Sequence, residues 1–384
     1  MTRNFLPNLY SMFRKILCLL VFLIGWSYSY SEEIKGIWVA RWNINEPLKV
    51  FQLMKDLQKN DIDVNAIFVQ VYARGEALYN SDIAPRSQDL FGAPYNYDPL
   101  SLIIQLAHRN GFKVHAWLNL YYVWSHAPFP ASFQHISNKY PEWFIADSLG
   151  ISLRTLTVEE IKALGLEGYF LEPGNEKVKQ FVTEIAHEIA KNYDVDGIHL
   201  DYCRYPGREY GYDIPARVSF MRENYVDPIA LKQRRKIREE FGYEAFFDLN
   251  KRWDDWRREQ VTLTVREIKN TVKAIKPKIE VSAAVIGDVE HASDNLFQDW
   301  VKWAQNNDVD FVIPMLYSSN SDWVLSKTNK TSNLVGRKKV AVGIGAYLMD
   351  YKDLVQQIIK VQGKNTRGYV LFSYGGMEEK GYFK

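Results

Sequence analysis

From residue 34 onward, short apolar runs rich in β-branched and aromatic residues alternate with longer stretches whose apolar positions recur at helical spacing. Eight such runs stand at residues 34–40, 66–72, 113–119, 196–202, 279–285, 309–317, 340–346 and 368–374. Helical periodicity fills the intervals, most clearly over 47–59, 99–109, 176–192 and 253–276. Strand and helix in strict alternation predict a parallel sheet with crossover helices. Eight repeats of that unit predict an α/β fold of the (β/α)8 TIM-barrel type, with functional groups at the C-terminal strand ends. Two intervals, 120–195 and 203–278, exceed a simple crossover, so long loops are expected after strands 3 and 4.

Within the runs, residue parity separates two faces. In the third run, Val114, Ala116 and Leu118 should face the helices, leaving His115, Trp117 and Asn119 for the barrel interior. In the fourth, Ile198, Leu200 and Tyr202 share one side, while His199 and Asp201 take the other. The loop after the third run is dense in rings (Tyr121, Tyr122, Trp124, Phe129, Phe133, Trp143, Phe144), which suits either a cleft wall or a packed rim. The charged stretch 231–242 reads as a solvated helical face with i,i+4 ion pairs.

The first residues break this rhythm. Arg14 and Lys15 precede an apolar run from Ile16 to Trp26, followed by Ser27, Ser29 and Ser31. This predicts a secretory signal peptide over 1–31 and a single domain over 32–384. The run is short for a bilayer span, so cleavage is favoured over an anchor, and the segment is the one expected membrane contact. The expected location is secreted or periplasmic, in the cell envelope. Beyond the leader stands one cysteine, Cys203, so the fold must rest on its core and not on an internal disulfide.

Composition narrows the chemistry. The 48 basic residues nearly balance 46 acidic ones, for a formal charge of +2, which argues against nucleic acid as a partner. No dinucleotide fingerprint, phosphate loop or Gly-x-Ser-x-Gly elbow occurs, and no cofactor is expected. His115 and His199 are expected as hydrogen-bonded imidazoles; they lack the spacing of a metal cluster. The strongest segment is DGIHLDYCRYP, 196–206, which ends a strand with His199, Asp201 and Arg204 at one barrel mouth. Around that mouth the strand ends supply Arg41, Trp42, Gln70, Tyr72, Arg74, Trp117, Asn119, Tyr121, Tyr205 and Tyr317, a ring of polar and aromatic groups suited to a sugar.

Several spaced segments resemble the glycosyl-hydrolase-like family 10: NAIFVQVYARGEALYNSDIAPRS (65–87), YNYDPLSLIIQLAHRNGFKVHAWLNLYYV (95–123), FLEPGNEKVKQFV (170–182), VDGIHLDYCRYP (195–206), WRREQVTLTVREIKNTVKAIKP (256–277) and GYVLFSYGG (368–376). The resemblance implies a (β/α)8 barrel that cleaves bacterial cell-wall glycan, with peptidoglycan strands stripped of stem peptides as the polysaccharide partner. The chain departs from the family pattern at Glu172, where Asp is usual before Pro-Gly, and at Leu120, where Pro is usual. Chitinase-like barrels resemble the fourth run too, but their proton-donating Glu falls on Cys203 here.

A glycosidase needs two carboxyl groups across the scissile bond. Asp201 is expected as nucleophile or as stabiliser of the transition state, and Glu76 or Asp288, each just beyond a strand, as the acid. A carbohydrate-binding barrel without turnover and a glycosidase of exopolysaccharide are the competing expectations.

Overall fold

The first expected run forms β1 (Ile34–Val39). It pairs in parallel with β2 (Ala66–Ala73) on one side and with the last strand, β8 (Gly368–Phe372), on the other. Between them follow β3 (Lys113–Asn119), β4 (Gly197–Asp201), β5 (Glu280–Ile286), β6 (Phe311–Met315) and β7 (Ala341–Gly345), each in parallel register with its neighbours. Among the described residues these eight strands close on themselves, so the predicted TIM barrel is the fold. The computed structural model describes residues 33–59, 61–362 and 366–383. The proposed leader lies outside the described residues. From residue 34 onward the chain forms one compact unit.

The helices sit where periodicity placed them: α1 (Pro47–Lys59), α2 (Pro99–Arg109) and α3 (Glu176–Asn192). Helix α1 buries Val50, Leu53 and Leu57 against the barrel, each such side chain contributing roughly 1.5–3 kcal/mol. Helix α2 starts cleanly because the Asp98 carboxylate accepts from the Ser101 N–H and Pro99 supplies a preset φ. The expected helix 253–276 is the C-terminal part of a longer one, α4 (Arg234–Ile275). Gly242 breaks α4 with φ 85° and ψ 170°, a backbone region open to glycine. Its first part takes up the charged stretch, with Arg235 and Glu239 paired at 2.7 Å. After β8, a six-residue helix, Tyr374–Glu379, closes the barrel.

The two faces of each strand feed two cores. Val114, Ala116, Leu118, Ile198 and Leu200 join the large layer between strands and helices. A second cluster, with Trp38, Phe68, Trp117, Phe311 and Ile313, fills the barrel interior. His115 stacks on Phe68 there, with ring centroids 4.5 Å apart. Its room comes from Gly197 across the strand pair, where a Cβ would stand 2.0 Å from His115 Nδ1. The base of the interior is therefore closely packed, and burial holds His115 neutral, with its pKa pushed down to about 3.

Candidate active site

Above this packed base, the C-terminal strand ends enclose a cavity of about 540 Å³. Its floor is a stack of mutual supports. Trp38 Nε1 donates to His199 Nε2 at 3.0 Å, and His199 Nδ1 lies 2.9 Å from Ser282 Oγ. Since Nε2 accepts, a neutral imidazole carries its proton on Nδ1 and donates it to the serine. Burial pushes the His199 pKa well down, which agrees with that neutral form. His199 thus lies one layer below the cavity and aligns Trp38, which lines it.

Asp201 ends β4 on the inward parity and lines the cavity. Its Oδ2 accepts from Trp117 Nε1 at 3.1 Å and its Oδ1 from the Tyr202 N–H at 2.7 Å. Desolvation outweighs these two donors and the nearby Arg204 charge, and pushes the carboxyl pKa up to about 6. The chain then turns sharply: Tyr202 has φ 52°, unusual for a bulky residue and costing about 1–3 kcal/mol. That turn stacks Tyr202 on Tyr122 at 4.6 Å and brings Arg204 back over the Tyr202 ring at 4.9 Å.

The second carboxylate is Glu167, which the sequence reading did not select. Arg204 Nη2 donates to both its oxygens, at 2.9 and 3.1 Å. Glu167 belongs to the long excursion after β3, far from any barrel strand in sequence. The excursion folds back because residues Tyr122–Trp124 pair antiparallel with Tyr169–Phe170, and this hairpin hangs Glu167 over the mouth. Among the described residues lining the cavity, Asp201 and Glu167 are the two carboxylates, and Arg204, ion-paired with Glu167, lines it with them and lowers the Asp201 pKa by its charge.

Of the ring expected around the mouth, Arg41, Trp42, Gln70, Trp117, Asn119, Arg204 and Tyr317 line the cavity. Gln70 accepts from the Arg41 N–H at 3.4 Å and donates to Asn119 Oδ1 at 3.4 Å. Tyr317 stacks on Phe372 at 5.3 Å. Tyr72, Tyr121 and Tyr205 are instead buried in the layer between strands and helices. For Tyr72 the reason is an irregularity: the β2–β3 register shifts between Gln70 and Tyr72, which turns Tyr72 to the outer face. Tyr121 and Tyr205 lie beyond their strand ends, where alternation no longer applies. Cys203, where the chitinase acid would fall, is fully buried in the same layer, and burial raises its thiol pKa well above the usual range.

Neither expected acid lines the cavity. Glu76 is buried in a short strand, Glu76–Ala77, and accepts from Ser87 Oγ at 3.0 Å and the Gln88 N–H at 3.1 Å. Arg74 stands 3.6 Å from it and 2.9 Å from Asp89, with its guanidinium 5.0 Å from the Trp124 ring centroid. The Arg74–Glu76 pair is therefore loop architecture, and Asp89 extends it to Arg41 at 2.6 Å. Asp288 caps the helix Val289–Asn295, accepting from the His291 N–H at 2.9 Å. That bond and the neighbouring Lys327 hold its pKa down, the opposite of what a proton donor needs. Among the described residues no cluster of three or more His, Cys, Asp or Glu side chains forms a metal site.

A closed parallel barrel with two carboxylates and a set of rings at its C-terminal mouth is the architecture shared by the class of glycoside hydrolases built on a (β/α)8 fold. Within that class it belongs to the glycosyl hydrolase-like 10 family, whose profile matches residues 33–358. It is 27% identical over 320 residues to the glycosyl hydrolase YngK of Bacillus subtilis, covering 75% of this chain and 54% of YngK. It is 25% identical over 326 residues to the glycosyl hydrolase DigH of Escherichia coli K12, covering 75% of this chain and 66% of DigH. The chain therefore spans about half to two thirds of the length of these relatives. In structure it resembles the PgaB (BpsB) glycoside hydrolase domain of Bordetella bronchiseptica, with a TM-score of 0.65, 15% identity, and 91% and 96% of the two chains covered. A β-galactosidase of Rahnella sp. R3 shares the fold with a TM-score of 0.61 and 16% identity, over 90% of this chain and 51% of that one.

Proposed function

We propose that the protein is an exported glycoside hydrolase of the bacterial cell envelope that cuts glycosidic bonds in peptidoglycan strands lacking stem peptides. The observation that carries the chemistry is the pair Asp201 and Glu167 in one ring-lined cavity, with Arg204 ion-paired to Glu167. A carboxyl with a pKa raised to about 6 keeps its proton in part near neutrality, so Asp201 protonates the departing glycosidic oxygen. Glu167, ion-paired with Arg204, works from the other side, as nucleophile or as the base that activates water. This revises the role expected for Asp201 and replaces Glu76 and Asp288 as its partner. Trp42, Trp117 and Tyr317 hold the sugar faces, while Gln70 and Asn119 take hydroxyl or acetamido groups. The substrate is the one the family resemblance implies, and the export signal is the one read over residues 1–31.

The test is product analysis. The full chain incubated with denuded peptidoglycan strands should release soluble saccharides identifiable by mass spectrometry. Release from an exopolysaccharide panel and not from denuded strands would move the substrate. Retention of glycan with no product over long incubation would make the protein a binding barrel.

A further inference from the structure

Beside the catalytic cavity lies a larger groove, of about 780 Å³, that the reaction as described does not use. It runs over the same C-terminal face, on the side where β7, β8 and β1 meet. The turn Arg41–Asn43 after β1, the turn Ala346–Leu348 after β7 and the helix Tyr374–Glu379 after β8 form its walls. Two residues, Trp42 and Phe372, line both this groove and the catalytic cavity, so the two spaces share a wall.

Three observations make the groove more than a surface dent. A chain of rings leads into it from the barrel floor: Trp38 meets Phe372 at 5.9 Å, Phe372 stacks with Tyr317, and Tyr347 meets Phe372 at 6.2 Å. Tyr347, at the end of that chain, remains 42% exposed, and Trp42, elsewhere in the lining, 51%, large rings left open where burial would be favourable. Asn43, also in the lining, is 8% exposed, and its Oδ1 has no hydrogen-bond partner among the described residues. A buried, unpaired amide oxygen is costly unless something donates to it. Gly375 keeps that amide from being crowded, since a Cβ there would stand 3.1 Å from Asn43 Oδ1. Exposed ring faces, with the polar side chains of Gln52, Glu378 and Glu379 in the same lining, are what a sugar, with its apolar faces and hydroxyl groups, can satisfy together.

We infer that this groove is a second saccharide-binding site that holds the glycan beyond the bond being cut, an inference that rests on the hydrolase reading above. A strand lying in both spaces passes over Trp42 and Phe372, so the protein takes long chains in preference to disaccharides and cuts within them.

The experiment is calorimetric titration of the full chain carrying Asp201→Asn with strands of denuded peptidoglycan of increasing length, from disaccharide to octasaccharide. Affinity should rise at least about tenfold once the strand is long enough to enter the groove. Adding Tyr347→Ala, or Leu48→Asp at the exposed outer wall, should cancel most of that gain, lowering octasaccharide affinity by roughly 3- to 10-fold. Tight binding of disaccharide with no gain from length overturns the groove and leaves the hydrolase reading standing. A length gain untouched by either groove variant also overturns it. Failure of every strand to bind overturns both.

Discussion

At two places in the molecule burial pushes carboxyl groups above their usual range, and the places differ in what can reach them. At the mouth, Asp201 lines an open cavity, with Glu167 and Arg204 beside it. About the excursions after β3 and β4, Glu172 is fully buried and Asp213 nearly so, and each raises or tunes the ionisation of the other. Desolvation is the largest cause for all three raised groups. The Glu172–Asp213 pair has structural work: Glu172 Oε1 accepts from the Gly174 N–H at 2.9 Å, and Asp213 caps the helix Ile214–Asn224 by accepting from the Ala216 N–H at 2.7 Å. A perturbed carboxyl marks chemistry only where substrate and water arrive. The shift costs the fold in both places, and where the carboxyl is sealed between elements no chemistry is gained from it.

The sharpest way to break this contrast is to remove each carboxyl in turn. Asp201→Asn should lower kcat/KM on denuded strands by about 10³-fold or more, while melting no lower than the wild type at neutral pH, since it removes a charge that burial disfavours. In the wild type, kcat/KM should fall as pH rises through about 6, because the raised pKa belongs to a group needed in its protonated form. A rate that rises through the same pH would give Asp201 the ionised role. Glu167→Gln should cost on the order of 10²–10³ in kcat/KM. It leaves the Asp201 carboxyl in place, so the dependence near pH 6 should persist in the residual activity. If Glu167→Gln is as active as the wild type, the mouth has one working carboxylate and the two-group mechanism fails.

The sealed pair should respond in stability and not in rate. A carboxyl whose folded pKa lies above its unfolded value of about 3.9 favours the folded state only while protonated. For Asp213, with a folded pKa of about 6, that contribution is present below about pH 4 and is lost as pH rises through 6. Asp213→Asn keeps a side-chain oxygen for the Ala216 N–H and removes the charge. It should melt close to the wild type at pH 4 and be more stable at pH 8, by about 1–3 kcal/mol in denaturant titrations. Activity should change little, since neither member lines the cavity.

What the sequence made legible follows from where periodicity acts. The eight strands, their faces as far as Tyr72 and Tyr202, and helices α1 to α3 follow local pattern, because each strand must sort its side chains between two cores. By the same rule Asp201, Trp117, Asn119 and Gln70 were expected at the mouth, and all four line the cavity from the ends of their strands. The rule fails where the strand does. Glu76 and Asp288 stand just past strand ends, but a two-residue strand buries one and a helix start claims the other. Glu167 reaches the mouth through tertiary pairing of Tyr122–Trp124 with Tyr169–Phe170, and no local pattern in the chain encodes that partnership. Of the strand-end aromatics, Trp42, Trp117 and Tyr317 reach the cavity, whereas Trp124 turns inward beneath Arg74.

Tyr72 gives the mildest and most discriminating case. By parity it belongs with Phe68 and Gln70 inside the barrel, and a substitution there would be expected to disturb sugar binding. The shifted register after Gln70 instead buries its ring against the helix layer, near Phe181 at 6.5 Å, and leaves its hydroxyl without a hydrogen-bond partner among the described residues. Removing a buried hydroxyl that has no partner relieves a desolvation cost and breaks no bond. Tyr72→Phe should therefore leave kcat/KM within about twofold and raise stability by up to about 1 kcal/mol, read from thermal and denaturant melts. A large loss of activity with the fold intact would mean that Tyr72 faces the glycan after all. The bulge would then be the wrong account of where the barrel interior ends along β2.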